Sequence, residues 1–311
     1  IDMKRNFVDY FILVFKGMAM GAADVVPGVS GGTIAFISGV YEELIATLNS
    51  INLNSLKTLK LQGVSATWKK INGNFLLALF GGILLSILSL SKLVAWLLHE
   101  EPVLLWAFFF GLVLASIIFV LKKINQWNSA VFLGLILGGV FAYQLTQLNA
   151  LGNSDSNWYL FLSGAIAICA MILPGISGAF ILVILGSYAN VLQALNDKDI
   201  AKITIFMTGA LIGILSFSRL LKWLFKRFKN MTLAVLTGFM IGALSKIWPW
   251  KKTLSFRENS EGISVPLKEQ CIAPFSFDGD PQILSAIGLM LFGFLMIFFL
   301  EKIGAKNKKI G

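Results

Sequence analysis

The chain is 311 residues long, 57% apolar and 14% charged, with a mean hydropathy of +0.79. A soluble domain carries about 25% charged residues, so the composition excludes an ordinary soluble domain and indicates an integral membrane protein. The net charge of +10 does not call for nucleic acid, because Lys and Arg cluster just outside the apolar runs, as in membrane flanks that face anionic lipid.

Eight apolar units follow in chain order. Residues 7–48 read as a helical hairpin broken at 24–32. An insertion at 53–72 sets Leu53, Leu56 and Leu59 on one face with Lys57 and Lys60 beside them, the pattern of an amphipathic helix lying on the membrane surface. Spans are predicted at 74–98, 102–121 and 130–148. A second hairpin covers 157–194, broken at 173–179, and spans follow at 203–225, 231–248 and 283–300. The expected fold is an all-α integral membrane protein with a first repeat at 1–150 and a second at 151–311. Each repeat holds a re-entrant helical hairpin and three transmembrane helices.

The repeat is carried by a phrase. Pro27-Gly28-Val29-Ser30-Gly31-Gly32 recurs as Pro174-Gly175-Ile176-Ser177-Gly178-Ala179. At the same offset of 147, Gly39 meets Gly186 and Tyr41 meets Tyr188; at an offset of 127, Gly82 meets Gly209, Lys92 meets Arg219 and Gly111 meets Gly238. Repetition over this length signals duplicated architecture. Small-residue pairs such as Gly134/Gly138 and Gly209/Gly213 are read as close helix packing only.

Each hairpin arm is about 16 residues, or roughly 24 Å, short of a hydrocarbon core of about 30 Å. The arms are therefore expected to turn back on their own side, so that three crossings per half invert the second half. Seventeen of the 26 Lys and Arg residues then fall in cytoplasmic segments and seven in outer ones. That bias places both termini in the cytoplasm. A rival count, in which the arms span fully, also alternates sides at several loops.

The breaks carry the chemistry. Pro27 and Pro174 remove a donor and bar helix just before them. The glycines admit close approach, and Ser30 and Ser177 suit the start of the next helix. Unpaired N–H groups at such a helix start attract phosphate or carboxylate. In a membrane chain, paired broken segments mark a transported substrate's site. The alternative is a pair of tight turns satisfied by neighbouring helices. The predicted substrate-binding residues are Asp24, Pro27, Gly28, Ser30, Gly31, Gly32, Thr33, Lys92, Pro174, Gly175, Ser177, Gly178 and Arg219. Asp24, a carboxylate at membrane depth, either binds a coupling proton or sodium ion or caps the hairpin. Glu42 and Glu43 are coupling candidates as well as ordinary solvated helix-end residues. Lys92 and Arg219 either neutralise an anionic head or snorkel to the interface. Tyr41 and Tyr188 are head-group or interface residues.

Enzyme chemistry is not expected. The single histidine, His99, sits in a short loop, and no nucleotide-binding phrase is present. The two cysteines, Cys169 and Cys271, suggest neither a disulfide framework nor a metal site. No cofactor is implied.

The run from Gly21 to Thr33, with Pro174-Gly175-Ile176-Ser177-Gly178 later, resembles the bacterial PopT family over essentially the whole chain. The resemblance implies a lipid flippase of the bacterial cell membrane. It would return undecaprenyl phosphate from the outer to the cytoplasmic leaflet, recycling the lipid carrier for cell-wall glycan synthesis. The DedA family, which shares this task, also uses re-entrant hairpins. Ala179 and Phe180 depart from the Gly32 and Thr33 of the first copy, which sets the two half-sites apart. Expected partners are undecaprenyl phosphate and membrane lipids, with proton or sodium coupling and homo-oligomerisation left open. The competing function is ion-coupled transport of a small soluble anion.

Overall fold

A computed structural model of the protein describes residues 5–26, 29–148, 156–258 and 264–307. Asn6 and Asp9 form a reciprocal capping box that starts α1 (Phe7–Val25). The helix stops at Val26, whose extended backbone is what a following proline requires. Ser30 then caps the short α2 (Gly31–Ile37), and Gly39 at φ +75° turns the chain into α3 (Tyr41–Ser50). The second half repeats this sequence of events with α8 (Asn157–Ile172), α9 (Gly178–Ile184) and α10 (Tyr188–Asn196), with Gly186 at φ +68° at the turn. Long helices follow each set: α5 (Gly73–Glu100), α6 (Pro102–Leu121) and α7 (Ser129–Gln147), then α11 (Ile200–Arg227), α12 (Lys229–Ala243) and α13 (Ile283–Asn307).

In both hairpins the two arms fold back on one another. Lys16 Nζ donates to Ser38 O at 2.7 Å in the first. Tyr159 Oη donates to Leu185 O at 2.6 Å in the second, and Ser163 and Ser187 share a hydrogen bond of 2.8 Å. Among the described residues, four helices are long and apolar enough to cross a bilayer: Gly73–Leu90 of α5, α6, α7 and α11. α9 and α10 meet at 108° and make a fifth only if that bent pair is one span.

The helices pair as α1 on α5, α8 on α11, α6 on α13 and α7 on α12. The points of closest approach recur in both halves. Gly17 faces the carbonyl of Leu79 and Gly82 that of Val14; at the repeat offsets, Gly164 faces the carbonyl of Phe206 and Gly209 that of Phe161. Likewise Gly111 faces Met290 O and Gly293 faces Phe108 O, matched by Gly238 against Leu135 O and Gly138 against Val235 O. These contacts equate α7 with α13 at an offset of 155, a relation the apolar pattern does not disclose. The second long helix of each half thus packs on the third of the other.

Two expectations change, and one element is new. The insertion is helical as α4 (Leu53–Lys70), but Gly63 at φ +81° breaks it. The two pieces fold together, Lys70 Nζ reaching Asn54 O at 2.9 Å and Thr58 Oγ1 at 2.7 Å. A straight helix would hold residues 54 and 70 about 24 Å apart. The span expected at 231–248 ends as a helix at Ala243, and residues 244–247 continue as turns. The loop after it holds a further element. Strands β1 (Lys251–Glu258) and β2 (Ser264–Cys271) form an antiparallel hairpin with Lys251 opposite Cys271. Trp248 Nε1 donates to Ile272 O and Trp250 Nε1 to Pro281 O. Buried Trp250 packs with Val103, Ala107 and Ala286, seating the hairpin on the ends of α6 and α13.

Candidate functional site at the junction of the two breaks

The two broken segments meet. Ser30, fully buried, stands between α1 and α2 with an extended backbone. Its Oγ accepts from Gly32 N at 3.1 Å and shares its own proton between the carbonyls of Met171 and Leu173, each 3.2 Å away. Those carbonyls belong to the end of α8, where the helix has run out of partners ahead of Pro174. In return, Gly175 N donates to Thr33 Oγ1 at 2.9 Å. One hydroxyl from each side of α2's first turn therefore satisfies a broken backbone 141–143 residues away in sequence. Both glycines at the contact are required by space. A Cβ on Gly32 would strike the Ile172 carbonyl, and Gly175, at φ +84°, lies against the backbone of Met240.

The two helix starts differ in electrostatics. At α2, the Asp24 carboxylate accepts Gly31 N at 2.7 Å, Ser30 accepts Gly32 N, and Thr33 N bonds Ser30 O. Its positive end is filled from within. At α9, Ser177 Oγ accepts only Phe180 N at 3.4 Å. Among the described residues nothing accepts from Gly178 N or Ala179 N, and Ala179 is exposed. The departure at Ala179 and Phe180 thus coincides with an open second end.

The model of the undecaprenyl phosphate translocase-like family matches residues 20–265, the stretch that contains both breaks. The chain belongs to this family. It is also 49% identical over 308 residues to the polyprenyl-phosphate transporter of Vibrio cholerae, covering 98% of this chain and 100% of that one. The polyprenyl-phosphate transporter of Staphylococcus aureus is 31% identical over 258 residues, 77% of this chain and 86% of that protein. No solved structure matches the chain.

For a member of this translocase-like family, the predicted site residues fall into four groups. Asp24, Ser30, Gly31, Gly32, Thr33, Pro174, Gly175, Ser177 and Gly178 lie in the joined breaks; Pro27 and Gly28 lie outside the described residues. Lys92 and Arg219 are on exposed faces of α5 and α11, each eight residues, or about 12 Å, from its helix end. Neither makes an ion pair with a described residue. Glu43 pairs with Arg5 and accepts from Asn72 Nδ2, fastening α3 to the starts of α1 and α5, and Glu42 lies 3.8 Å from Lys229. Tyr41 is buried against Phe36 and Phe225 rather than at an interface, with no partner for its hydroxyl among the described residues.

Sequence reasoning missed a second polar cluster. Lys246, just past α12, lies 2.9 Å from Glu269 on β2, and Lys251 on β1 lies 3.3 Å from the other carboxylate oxygen. Lys246 also caps the Phe180 ring at 5.4 Å, which sets this cluster beside the open start of α9. The available signal was the alternation Thr253-Leu254-Ser255-Phe256, a strand pattern that brings Lys251 and Glu269 to one end of a hairpin.

Proposed function

We propose that the protein carries polyprenyl phosphate, specifically undecaprenyl phosphate, from the outer to the cytoplasmic leaflet of the bacterial cell membrane. This would recycle the carrier for cell-wall glycan synthesis. The observation that carries the reading is the direct joining of the two breaks through Ser30 and Thr33. A phosphate head cannot cross hydrocarbon unaided, since even one charge at the bilayer centre costs about 2.5–3.5 kcal/mol on insertion scales. Broken backbone buried in protein supplies the dipoles that replace water, while the tail stays in lipid. In this reading the molecule is an inverted repeat of multi-pass helices with both termini cytoplasmic, and each hairpin re-enters from its own face. Asp24 holds the start of α2 until the head displaces it, or until a proton or sodium ion binds the carboxylate and neutralises it. Lys92 and Arg219 guide the head at opposite leaflets. The named relatives are transporters, which agrees with a role without catalysis.

The test is transport of a fluorescent polyprenyl phosphate in proteoliposomes. Ser30→Ala and Thr33→Val are expected to cut the rate at least tenfold while the protein stays folded. Wild-type rates in both, together with normal carrier recycling in cells lacking other recyclers, would end the proposal. Transport of inorganic phosphate but not of the lipid would favour the soluble-anion alternative.

A further inference from the structure

A cavity of about 610 Å³ opens beneath the β-hairpin, lined by Tyr143, Thr146, Gln147, Lys246, Lys251 and Glu269 among others. Its charge does not balance. Lys246 and Lys251 share the single carboxylate of Glu269, so the trio carries one uncompensated positive charge. Lys251 is only 7% exposed at its side chain. Its ammonium is held over the Trp106 ring at 3.9 Å and donates to Lys246 O at 3.1 Å. Burying a cation is costly unless it is paired, and two lysines that share one carboxylate beside a cavity leave room there for a second anion.

We infer that Lys246 and Lys251 form a phosphate-receiving vestibule on the hairpin face, in which Glu269 stands in for the phosphate until one arrives. A phosphate monoester offers three oxygens to two ammonium groups, and it would release Glu269 and its strand from them. The source is a lipid head or a free phosphate. The lipid assignment rests on the transport reading above.

The experiment measures binding of two probes, a C15 polyprenyl monophosphate and inorganic phosphate, to the purified full chain in detergent. Lys246→Gln and Lys251→Gln should each weaken lipid-phosphate binding at least tenfold. Glu269→Gln, which removes the internal competitor, should tighten it several-fold, the bound phosphate then supplying the negative charge that Glu269 gives the hairpin in the free chain. That opposite sign separates a ligand site from a structural ion pair: if Glu269→Gln weakens binding in step with the lysine variants, the trio only holds the hairpin and the inference is overturned. Unchanged lipid binding in both lysine variants overturns the vestibule and leaves the transport reading standing. Lysine-dependent binding of inorganic phosphate, without binding of the lipid, keeps the anion seat and removes the transport reading instead. Failure of the wild-type chain to bind either probe removes both.

Discussion

Ser30 and Thr33 do more than start a helix: Ser30 Oγ accepts from Gly32 N as a cap while donating to the opposite half of the chain, and Thr33 Oγ1 accepts from Gly175 N there. That makes the spacing between the breaks a matter of single atoms. Gly32 is the sensitive point: its Cα approaches the end of α8 so closely that one methyl would push Ile172 away. Gly32→Ala is expected to destabilise by about 1–3 kcal/mol, the usual cost of overpacking, and to lower transport with it. Gly81→Ala is the control. Gly81 lies in α5 with open space around its Cβ direction, and alanine there gains up to about 1 kcal/mol of helix propensity. Thermal unfolding of the two variants in the same detergent checks the contrast. Equal midpoints would mean that the junction yields easily and does not fix the breaks in place.

At the scale of elements, the β-hairpin depends on charge as well as on its tryptophans. Burial raises the pKa of Glu269, but Lys251 and Lys246 outweigh it and hold the carboxyl below its ordinary value. Burial lowers the pKa of Lys251, with Glu269 opposing; burial also pushes the Cys271 thiol up, so it stays neutral near pH 7. A depressed carboxyl contributes stability that is present above its unfolded pKa and is lost as pH falls through the folded one. A depressed lysine shifts stability in the same sense, upward with pH, because the unfolded chain binds the proton better. Amide exchange in β1 and β2 should therefore accelerate selectively below about pH 4, the ordinary carboxylate range, while α6 and α13 stay protected. Uniform acceleration across the molecule would show that the hairpin has no separate opening. These elements also mark how far the chain could be read in advance. The breaks were legible because proline and glycine act locally. So were the long helices, through their unbroken apolar runs. The hairpin was masked by its position in a polar loop after a span that stops early at Ala243. The fold in α4 turns on Gly63 alone. The internal occupation of α2's start by Asp24 was open in sequence, where capping and ion binding leave the same residue in the same place.

The whole molecule is organised by exchange between its halves: α6 on α13 and α7 on α12, with the breaks hydrogen-bonded across the centre. Arg5, Glu43, Asn72 and Lys229 gather at one end of the bundle, where Asn125 N also bonds Asn230 Oδ1. Glu101, Gln282, Lys246 and Cys271 gather at the other, where Gln282 Nε2 donates to Glu101 Oε2. If the charge bias sets orientation, the first end is cytoplasmic and the hairpin end is outside. Cys271 is exposed and Cys169 is half-buried within α8, so the native thiols provide the probe. In intact cells, a membrane-impermeant maleimide should label Cys271 in a Cys169→Ser background. A cysteine placed at exposed Trp127, in a chain also carrying Cys271→Ser, should react only after permeabilisation. Labelling of position 127 from outside, with Cys271 silent until permeabilisation, would turn the molecule over. The vestibule of Lys246 and Lys251 would then face the cytoplasm and release the phosphate head there rather than receive it.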